Sequence, residues 1–319
     1  MYVSAIAEAT AEEMERDERV FIMGQGVEGG GSFKSALGLL ERFGPERVRD
    51  TPISEDSVVG CAVGAAITGW RPIVQILFCD FTLRAMDQIG NQAAKYLYMT
   101  GGQMSVPLVI RTSIGIGANR AAQHSQSLEP MFQHFPGLKI ALPSTPYDVK
   151  GLLKSAVRDD NPVIFIESFA LYGTKGIVPE EEYTIPLGEA DIKREGKDIT
   201  IVAVSAMVPE ALRAAEDLER EGIDAEVLDP RTLVPLDLPG IVRSIQKTNR
   251  LLVVEAGPKR GGVGAEIVSS VMEEAFDYLD SPPARLAVPN TPIPSAPQME
   301  AFVLPNSASI AREVRRMLE

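Results

Sequence analysis

With 319 residues, 45% hydrophobic and 24% charged, the chain has the composition of a soluble globular protein and the length for two domains. Its net charge of -13 excludes the basic face that nonspecific nucleic-acid or anionic-membrane binding requires. Two cysteines, Cys61 and Cys79, form neither a CxxC pair nor a metal-ligand spacing, and two histidines, His124 and His134, do not cluster with them, so no structural zinc site is expected. Both thiols lie in apolar segments and are expected to be buried and free, as in a reducing compartment. Residues 1–19 lack the charged-then-apolar pattern of a signal peptide. No uncharged apolar run reaches the roughly 18 residues of a membrane span, and the expected location is cytoplasmic.

Residues 3–16 place Ala, Ile and Met at helical spacing between acidic residues and predict an amphipathic helix. Val20-Phe21-Ile22-Met23 is a short apolar strand, closed by Gly24-Gln25-Gly26-Val27-Glu28-Gly29-Gly30-Gly31. A strand running into a Gly-rich loop invites a phosphate, yet this loop matches neither the P-loop nor the dinucleotide fingerprint. A flexible turn near an interface is the other reading. Residues 36–43 predict a helix, and residues 47–48 begin a strand leading into Asp50-Thr51-Pro52-Ile53-Ser54-Glu55-Asp56-Ser57. This loop runs into an apolar, small-residue helix over residues 58–69, expected to be packed on nearly all sides. Carboxylates are rarely buried without a partner, so one at such a helix start serves a site, a cap or an ion pair. Glu55 is assigned to a site and Asp56 to the helix end.

Residues 71–78 form a near-continuous apolar strand of the kind covered on both faces. Residues 81–98 return to helical periodicity and carry Asp87, Gln88, Asn91 and Lys95; residues 106–111 are again a buried strand. An irregular polar stretch over 112–127 holds His124. A strand at 139–142, a helix at 145–158 and a strand at 163–167 complete an alternation that means a doubly wound parallel sheet. A segment rich in Pro, Gly and charge, residues 176–198, reads as a linker between a first domain of residues 1–175 and a second of 199–319. The second domain alternates strands at 199–204, 225–228, 250–255 and 285–287 with helices at 208–220, 238–247, from Gly264 to about 278, and 307–318. It is a smaller α/β domain of about five strands, and no repeat relates the halves.

Three features carry candidate chemistry. Glu55 precedes an apolar helix. His124 lies among amides and hydroxyls on a polar loop at a strand's C-terminal side, where doubly wound folds place ligands. Phe78 and Phe81 flank Cys79-Asp80 as core or as a flat wall for a ring-shaped ligand. There is no Ser or Cys nucleophile motif, no HExxH and no Walker sequence. The Gly-Asp-Gly with a following Asn-Asn that holds magnesium and a diphosphate is also absent.

Taken together, Asp50-Thr51-Pro52-Ile53-Ser54-Glu55, Arg71-Pro72-Ile73, Met86-Asp87-Gln88, Ala122-Gln123-His124-Ser125-Gln126, Pro143-Ser144-Thr145-Pro146, Arg158-Asp159-Asp160-Asn161-Pro162-Val163 and Asp229-Pro230-Arg231-Thr232-Leu233-Val234-Pro235 resemble one family nearly end to end. It is the beta subunit of the thiamine-diphosphate-dependent E1 component of 2-oxoacid dehydrogenase complexes, the acetoin dehydrogenase branch included. The resemblance implies a transketolase-like pyrimidine-binding domain followed by a transketolase C-terminal-type domain. It implies an oxidoreductase that cleaves a 2-oxo acid or acetoin and passes the acyl group to the lipoamide of an E2 acyltransferase. It further implies an alpha2-beta2 heterotetramer, with thiamine diphosphate at the alpha–beta interface and Mg2+ held by the alpha subunit.

By the same resemblance, Glu55 is the glutamate whose carboxyl meets N1′ of the pyrimidine and favours the imino tautomer of the 4′-amino group. Phe81 is the aromatic stacked on the pyrimidine, with Leu77 on the same wall. His124 is the histidine near the reacting carbon, able to steady charge or pass a proton. A monovalent cation, K+, would fall on backbone carbonyls of Leu108, Ala156, Val157, Asp159 and Asn161. Gln25 stands where the family has an acidic residue. The Arg111-Thr112-Ser113-Ile114-Gly115-Ile116-Gly117 pattern is closer to acetoin-type chains than to pyruvate or branched-chain ones. A split transketolase-like enzyme acting on a sugar and a noncatalytic assembly subunit are the alternative readings.

Overall fold

Apolar runs and amphipathic helices alternate through two α/β units in this computed structural model, which describes residues 1–319, the side chain of Ser32 apart. The first unit comprises Met1–Ile114 and Met131–Leu187, the second Gly115–Pro130 and Gly188–Glu319. The first contains α1 (Tyr2–Arg16), β1 (Val20–Gly24), α2 (Leu39–Phe43), β2 (Val48–Asp50), α3 (Glu55–Ile67), β3 (Arg71–Gln75), α4 (Tyr96–Met99) and β4 (Val109–Ile114). After the short helix α5 (Glu129–Gln133) it continues with β5 (Lys139–Ala141), α6 (Pro146–Arg158) and β6 (Val163–Ser168). Its strands lie in the order β5-β6-β4-β3-β1-β2, and every pairing among them is parallel. Parallel sheets require cover on both faces, and β4 and β6 are buried at every position.

Helix α6 starts on a Thr145 cap that accepts from the Asp148 N–H, with Pro146 in the first turn. Its buried Lys150 and Lys154 reach carboxylates of α1: Lys150 Nζ lies 2.6 Å from Glu8 and 2.8 Å from Glu12, and Lys154 Nζ 2.7 Å from Glu12. Stranding either ammonium would cost several kcal/mol, so α1 is bound to this face of α6.

The chain leaves β1 for β2 at the sheet edge and returns to β3 on the other side of β1. Connections from the carboxyl ends of β1 and β3 therefore diverge, leaving the crevice in which open α/β sheets bind ligands. Gly24 pairs with Gln75 at its floor, and a Cβ there would stand 2.5 Å from the Gln75 carbonyl oxygen.

Three expectations are corrected in this unit. The helix expected over 81–98 is a 3-10 segment (Cys79–Ala85), a π turn (Asp87–Ala93) and the single turn of α4. Gly90 sits where a Cβ would meet the Phe135 ring at 2.7 Å, so the chain is offset around that contact. Helix α3 is not covered on all sides: it buries Val58, Val59, Ala62, Val63 and Ala66 and leaves the opposite face open. On that face Cys61 is exposed, against expectation, while Cys79 is buried and free as expected.

The second unit holds β7 (Asp191–Arg194), β8 (Ile199–Ala203), α7 (Met207–Glu219), β9 (Ala225–Asp229), β10 (Thr232–Val234), α8 (Leu238–Thr248), β11 (Leu251–Pro258), α9 (Val263–Glu274), β12 (Ala284–Val288), α10 (Pro297–Val303) and α11 (Ser307–Leu318). Its five-stranded sheet runs β12-β11-β8-β9-β7, with β7 antiparallel to β9 and the other pairings parallel. Ile201 and Val254 of the sheet pack with Ala211 and Leu218 of α7 and Ile310 and Val314 of α11. Here the strand order reverses between β8 and β11, so a second crevice opens at their carboxyl ends. Among the described residues no helix is long and apolar enough to cross a membrane.

Gly137 (φ +107°) tests the packing of the first unit, because a Cβ there would stand 2.0 Å from the Ala94 carbonyl oxygen. Gly137→Ala is expected to destabilise this unit by about 3 kcal/mol through backbone strain and overpacking. Gly101→Ala, at φ +62° in open space, should cost about 1 kcal/mol. Urea unfolding followed by fluorescence of the single tryptophan, Trp70, reads both in this unit.

Candidate cofactor and catalytic site

Glu55 opens the first turn of α3 and is half-buried; Asp56 beside it is exposed. The loop before Glu55 is tied to the Gly-rich loop after β1. The Glu28 N–H donates to Asp50 Oδ1 at 2.8 Å, the Asp50 N–H donates to Glu28 Oε1 at 3.2 Å, and the Thr51 N–H donates to the Gly24 carbonyl at 3.1 Å. These bonds hold the start of α3 at the β1–β3 crevice. Helix α3 also packs on the 3-10 segment that carries Phe81.

Beyond β3, Ile76 and Phe78 are buried, whereas Leu77 between them and Phe81 are half-buried. Leu77 is held by its carbonyl, which accepts from Ser113 Oγ at 2.7 Å. Phe78 stands edge-on to Phe81, with centroids 6.1 Å apart and planes at 79°. Phe78 is therefore core, and Phe81 is the ring left at the crevice. The first unit thus brings one carboxylate, one aliphatic and one aromatic side chain to the switch point of its sheet.

The oxygens considered for K+ gather at the end of α6 and beside β4, with part of their valence in use. The Val157 and Asp159 carbonyls accept from Arg71 Nη1 at 2.9 and 3.1 Å, and the Leu108 carbonyl accepts from the Val163 N–H at 2.8 Å. The Asp159 carboxylate accepts from Asn161 N and Nδ2 at 2.8 and 2.9 Å and pairs with Lys139. Burial would raise its pKa, but these donors hold it below the ordinary value.

His124 belongs to the second unit, half-buried on the loop that follows β4. Its carbonyl lies against Gly115, where a Cβ would be only 2.0 Å away, so the two ends of this loop are pinched together. The loop's middle is held by Glu300 of α10, a buried carboxylate accepting from the Gly117 N–H at 2.9 Å and the Asn119 N–H at 2.8 Å. A cavity of about 570 Å³ lies alongside, with Gln123, Ser125 and Gln126 on one side and Asn290 and Thr291 on another. Ser125 is fully buried, and its hydroxyl has no hydrogen-bond partner among the described residues.

Next to this loop Ser127 Oγ donates to both oxygens of the buried Glu129, at 2.9 and 2.7 Å. Glu255, near the end of β11, accepts from the Gly264 N–H at 3.0 Å, at the start of α9. Burial pushes its carboxyl up to about 7; the Gly264 bond opposes this and the Glu129 charge adds to it. Burial raises Glu129 as well. No group of three or more His, Cys, Asp or Glu side chains among the described residues is arranged to hold a metal ion.

A family model for the transketolase pyrimidine-binding domain matches residues 1–175, and one for the transketolase C-terminal domain matches residues 188–310. The pyruvate dehydrogenase E1 component subunit beta of Rhizobium meliloti (strain 1021) is 48% identical over 98% of this chain and 68% of its own length. The acetoin:2,6-dichlorophenolindophenol oxidoreductase subunit beta of Bacillus subtilis (strain 168) is 46% identical over 98% of this chain and 96% of its own. The chain belongs to the family of dehydrogenase E1 beta subunits. A solved structure described as a split gene transketolase, inactive beta4 tetramer, aligns with a TM-score of 0.82 over 98% of this chain and 97% of that one. At 23% identity that likeness is one of fold.

In this E1 beta-type chain, sequence reading alone did not single out Glu129, Glu255 or Glu300. The Gly261-Gly262-Val263-Gly264 run after the Glu255 strand was a usable signal, because Cβ atoms at Gly262 or Gly264 would stand 2.4 and 2.9 Å from the Glu255 carboxyl. For Glu300, in a short helix 181 residues beyond Asn119, there was none.

Glu255 makes the stability of the chain depend on pH. The folded chain keeps a proton that the unfolded chain releases near its ordinary 4.5. Stability is therefore full below that value and falls as pH rises to about 7. Glu255→Gln should flatten this fall and stabilise the chain at pH 8 by up to roughly 3 kcal/mol. Thermal midpoints of both proteins across this pH range would show it, and parallel curves would count against a buried titrating Glu255.

Proposed function

We propose that this chain is the beta subunit of a thiamine-diphosphate-dependent E1 oxidoreductase. It acts with an alpha subunit in an alpha2-beta2 heterotetramer to cleave a 2-oxo acid of the pyruvate type, or acetoin, beside its carbonyl. The acyl group passes to the lipoamide of an E2 acyltransferase. The reading rests above all on Glu55, Leu77 and Phe81, each half-buried, on segments tied to the carboxyl ends of β1 and β3. A pyrimidine needs one carboxylic acid beside an apolar, aromatic wall, and these residues fit that need. Identities of 46–48% to dehydrogenase beta subunits, against 23% to a split transketolase, favour this over a sugar-cleaving enzyme or a noncatalytic assembly subunit. The cytoplasm is the proposed location.

Thiamine diphosphate, when bound, supplies the electron sink for cleavage next to a carbonyl. In the proposed site Glu55 holds a proton at the pyrimidine N1′, at a helix start held by the Asp50–Glu28 exchange. Phe81 orients the ring by stacking against its face. Leu77 keeps water from the same wall, fixed through its carbonyl by Ser113. His124 holds or passes a proton during acyl transfer. Mg2+ and the diphosphate end are assigned to the alpha subunit. K+ is assigned to the oxygens of Leu108, Ala156, Val157, Asp159 and Asn161, since a carbonyl with one bond to Arg71 keeps a second lone pair.

In the complex reconstituted with its alpha partner, Glu55→Gln is expected to lower turnover at least about 100-fold; unchanged turnover would sink the proposal. Phe81→Ala should raise the thiamine diphosphate concentration needed for half-maximal activity by up to about tenfold. The chain purified alone should bind thiamine diphosphate weakly and turn over neither pyruvate nor acetoin. Full turnover without an alpha subunit would exclude a shared site.

A further inference from the structure

We propose that Glu300 is a positioning residue for the loop that carries His124. Its carboxylate clamps two backbone N–H groups of the loop and so sets where the imidazole stands. The proposal deepens the catalytic reading of His124 and rests on it.

The loop from Gly115 to His124 consists of turns, with no helix or strand among its described residues. Its internal backbone hydrogen bonds are two turns, Ala118 N to the Gly115 carbonyl at 3.2 Å and His124 N to the Ala121 carbonyl at 3.3 Å. Three of its residues are in the left-handed region: Gly117 (φ 76°), Asn119 (φ 57°) and Ala121 (φ 63°). L-residues occupy that region only where their surroundings impose it, and Ala121 has no side-chain polar group with which to impose it locally. Glu300 holds two of the three, Gly117 and Asn119. It is 2% exposed, and each of its oxygens takes one loop N–H, Oε1 that of Gly117 and Oε2 that of Asn119. Hydrogen bonds to an ionised acceptor are about twice as strong as neutral ones, so this pair outweighs the loop's own long turns.

The clamp stands on a firm base. Glu300 lies in the first turn of α10, its N–H bonded to the Ala296 carbonyl at 2.9 Å. Helix α10 leads through Leu304-Pro305 into α11, whose Ser307 N–H donates to Glu210 of α7 at 2.9 Å and whose apolar face is part of the core of this unit. The His124 carbonyl lies against Gly115, so a shift at the clamped Gly117 reaches His124 through the end of the loop that it touches. Loss of the carboxylate should therefore release the loop and displace His124 while leaving the core of α7 and α11 intact. Glu300→Gln keeps an acceptor for one N–H but presents a donor to the other, and should give an intermediate result.

The full-length chain alone suffices for the main test. Amide hydrogen exchange at residues 117 and 119 should rise at least tenfold in Glu300→Ala and less in Glu300→Gln. The chain contains two histidines, so its imidazole proton resonances can be assigned with a single His134→Gln variant. Glu300→Ala should shift the His124 resonance and leave that of His134 in place. In the complex reconstituted with the alpha subunit, kcat should fall about tenfold to a hundredfold with KM for thiamine diphosphate unchanged, as expected of a misplaced group. Unchanged exchange at 117 and 119 overturns the proposal. So does faster exchange with the His124 resonance and kcat unmoved. Should Glu300→Ala fail to fold, Glu300→Gln carries the same readouts. Full activity of His124→Gln would defeat the catalytic reading of His124, while exchange and resonance data would still decide the clamp.

Discussion

The contact of Gly24 with Gln75 is the constraint on which the first unit depends. Parallel pairing of β1 with β3 brings the Gly24 Cα so close to the Gln75 carbonyl that no side chain fits between them. Because the chain reaches β3 only after visiting β2 on the far side of β1, this close pair lies at the base of a crevice. Everything assigned to the pyrimidine stands at the mouth of that crevice. Leu77 and Phe81 leave the end of β3, and Glu55 is delivered by a loop stitched to the end of β1 through Asp50 and Glu28. The Gly-rich stretch after β1 thus serves close strand packing and loop anchoring.

The second unit applies the same topology to different chemistry. Its strand order also reverses, between β8 and β11, and the carboxyl end of β11 carries Glu255 beside Glu129 and Ser127. Two buried carboxylates, Glu129 and Glu300, answer a hydroxyl and backbone N–H groups of the stretch from Gly115 to Glu129, and a third, Glu255, answers the Gly264 N–H at the start of α9. Buried acids are costly unless hydrogen-bonded, and Glu129 and Glu300 serve to hold a segment that has little regular structure of its own.

Much of this was legible in residue order. Strand–helix alternation and the apolar run of β3 are local signals, and the structure follows them. Glu55, Leu77 and Phe81 are proposed through ordered motifs, and the fold sets them at the start of α3, beyond β3 and on the 3-10 segment that follows it. What escaped depended on contacts distant in sequence. Periodicity over residues 81–98 read as one helix because nothing local announces that the Phe135 ring presses on Gly90. Cys61 read as buried because α3 is apolar all round, yet a helix at the side of a sheet has only one face covered by its own chain. Strand β7 was hidden inside a stretch whose composition reads as linker, since its pairing with β9 is made across 33 to 38 residues.

The assignment of Gly115–Pro130 to the second unit bears on modularity. That unit is not a continuous piece of gene: sixteen of its residues are encoded ahead of α6 and β6, with the remainder after Leu187. A fragment starting at Gly188 would contain Glu300 but not Gly117 or Asn119, so a carboxylate built to meet two donors would be left without them. The two units are therefore poor candidates for exchange between proteins by cutting at the segment that joins them. Recombination that respects this architecture has to carry the His124 loop along with the C-terminal half.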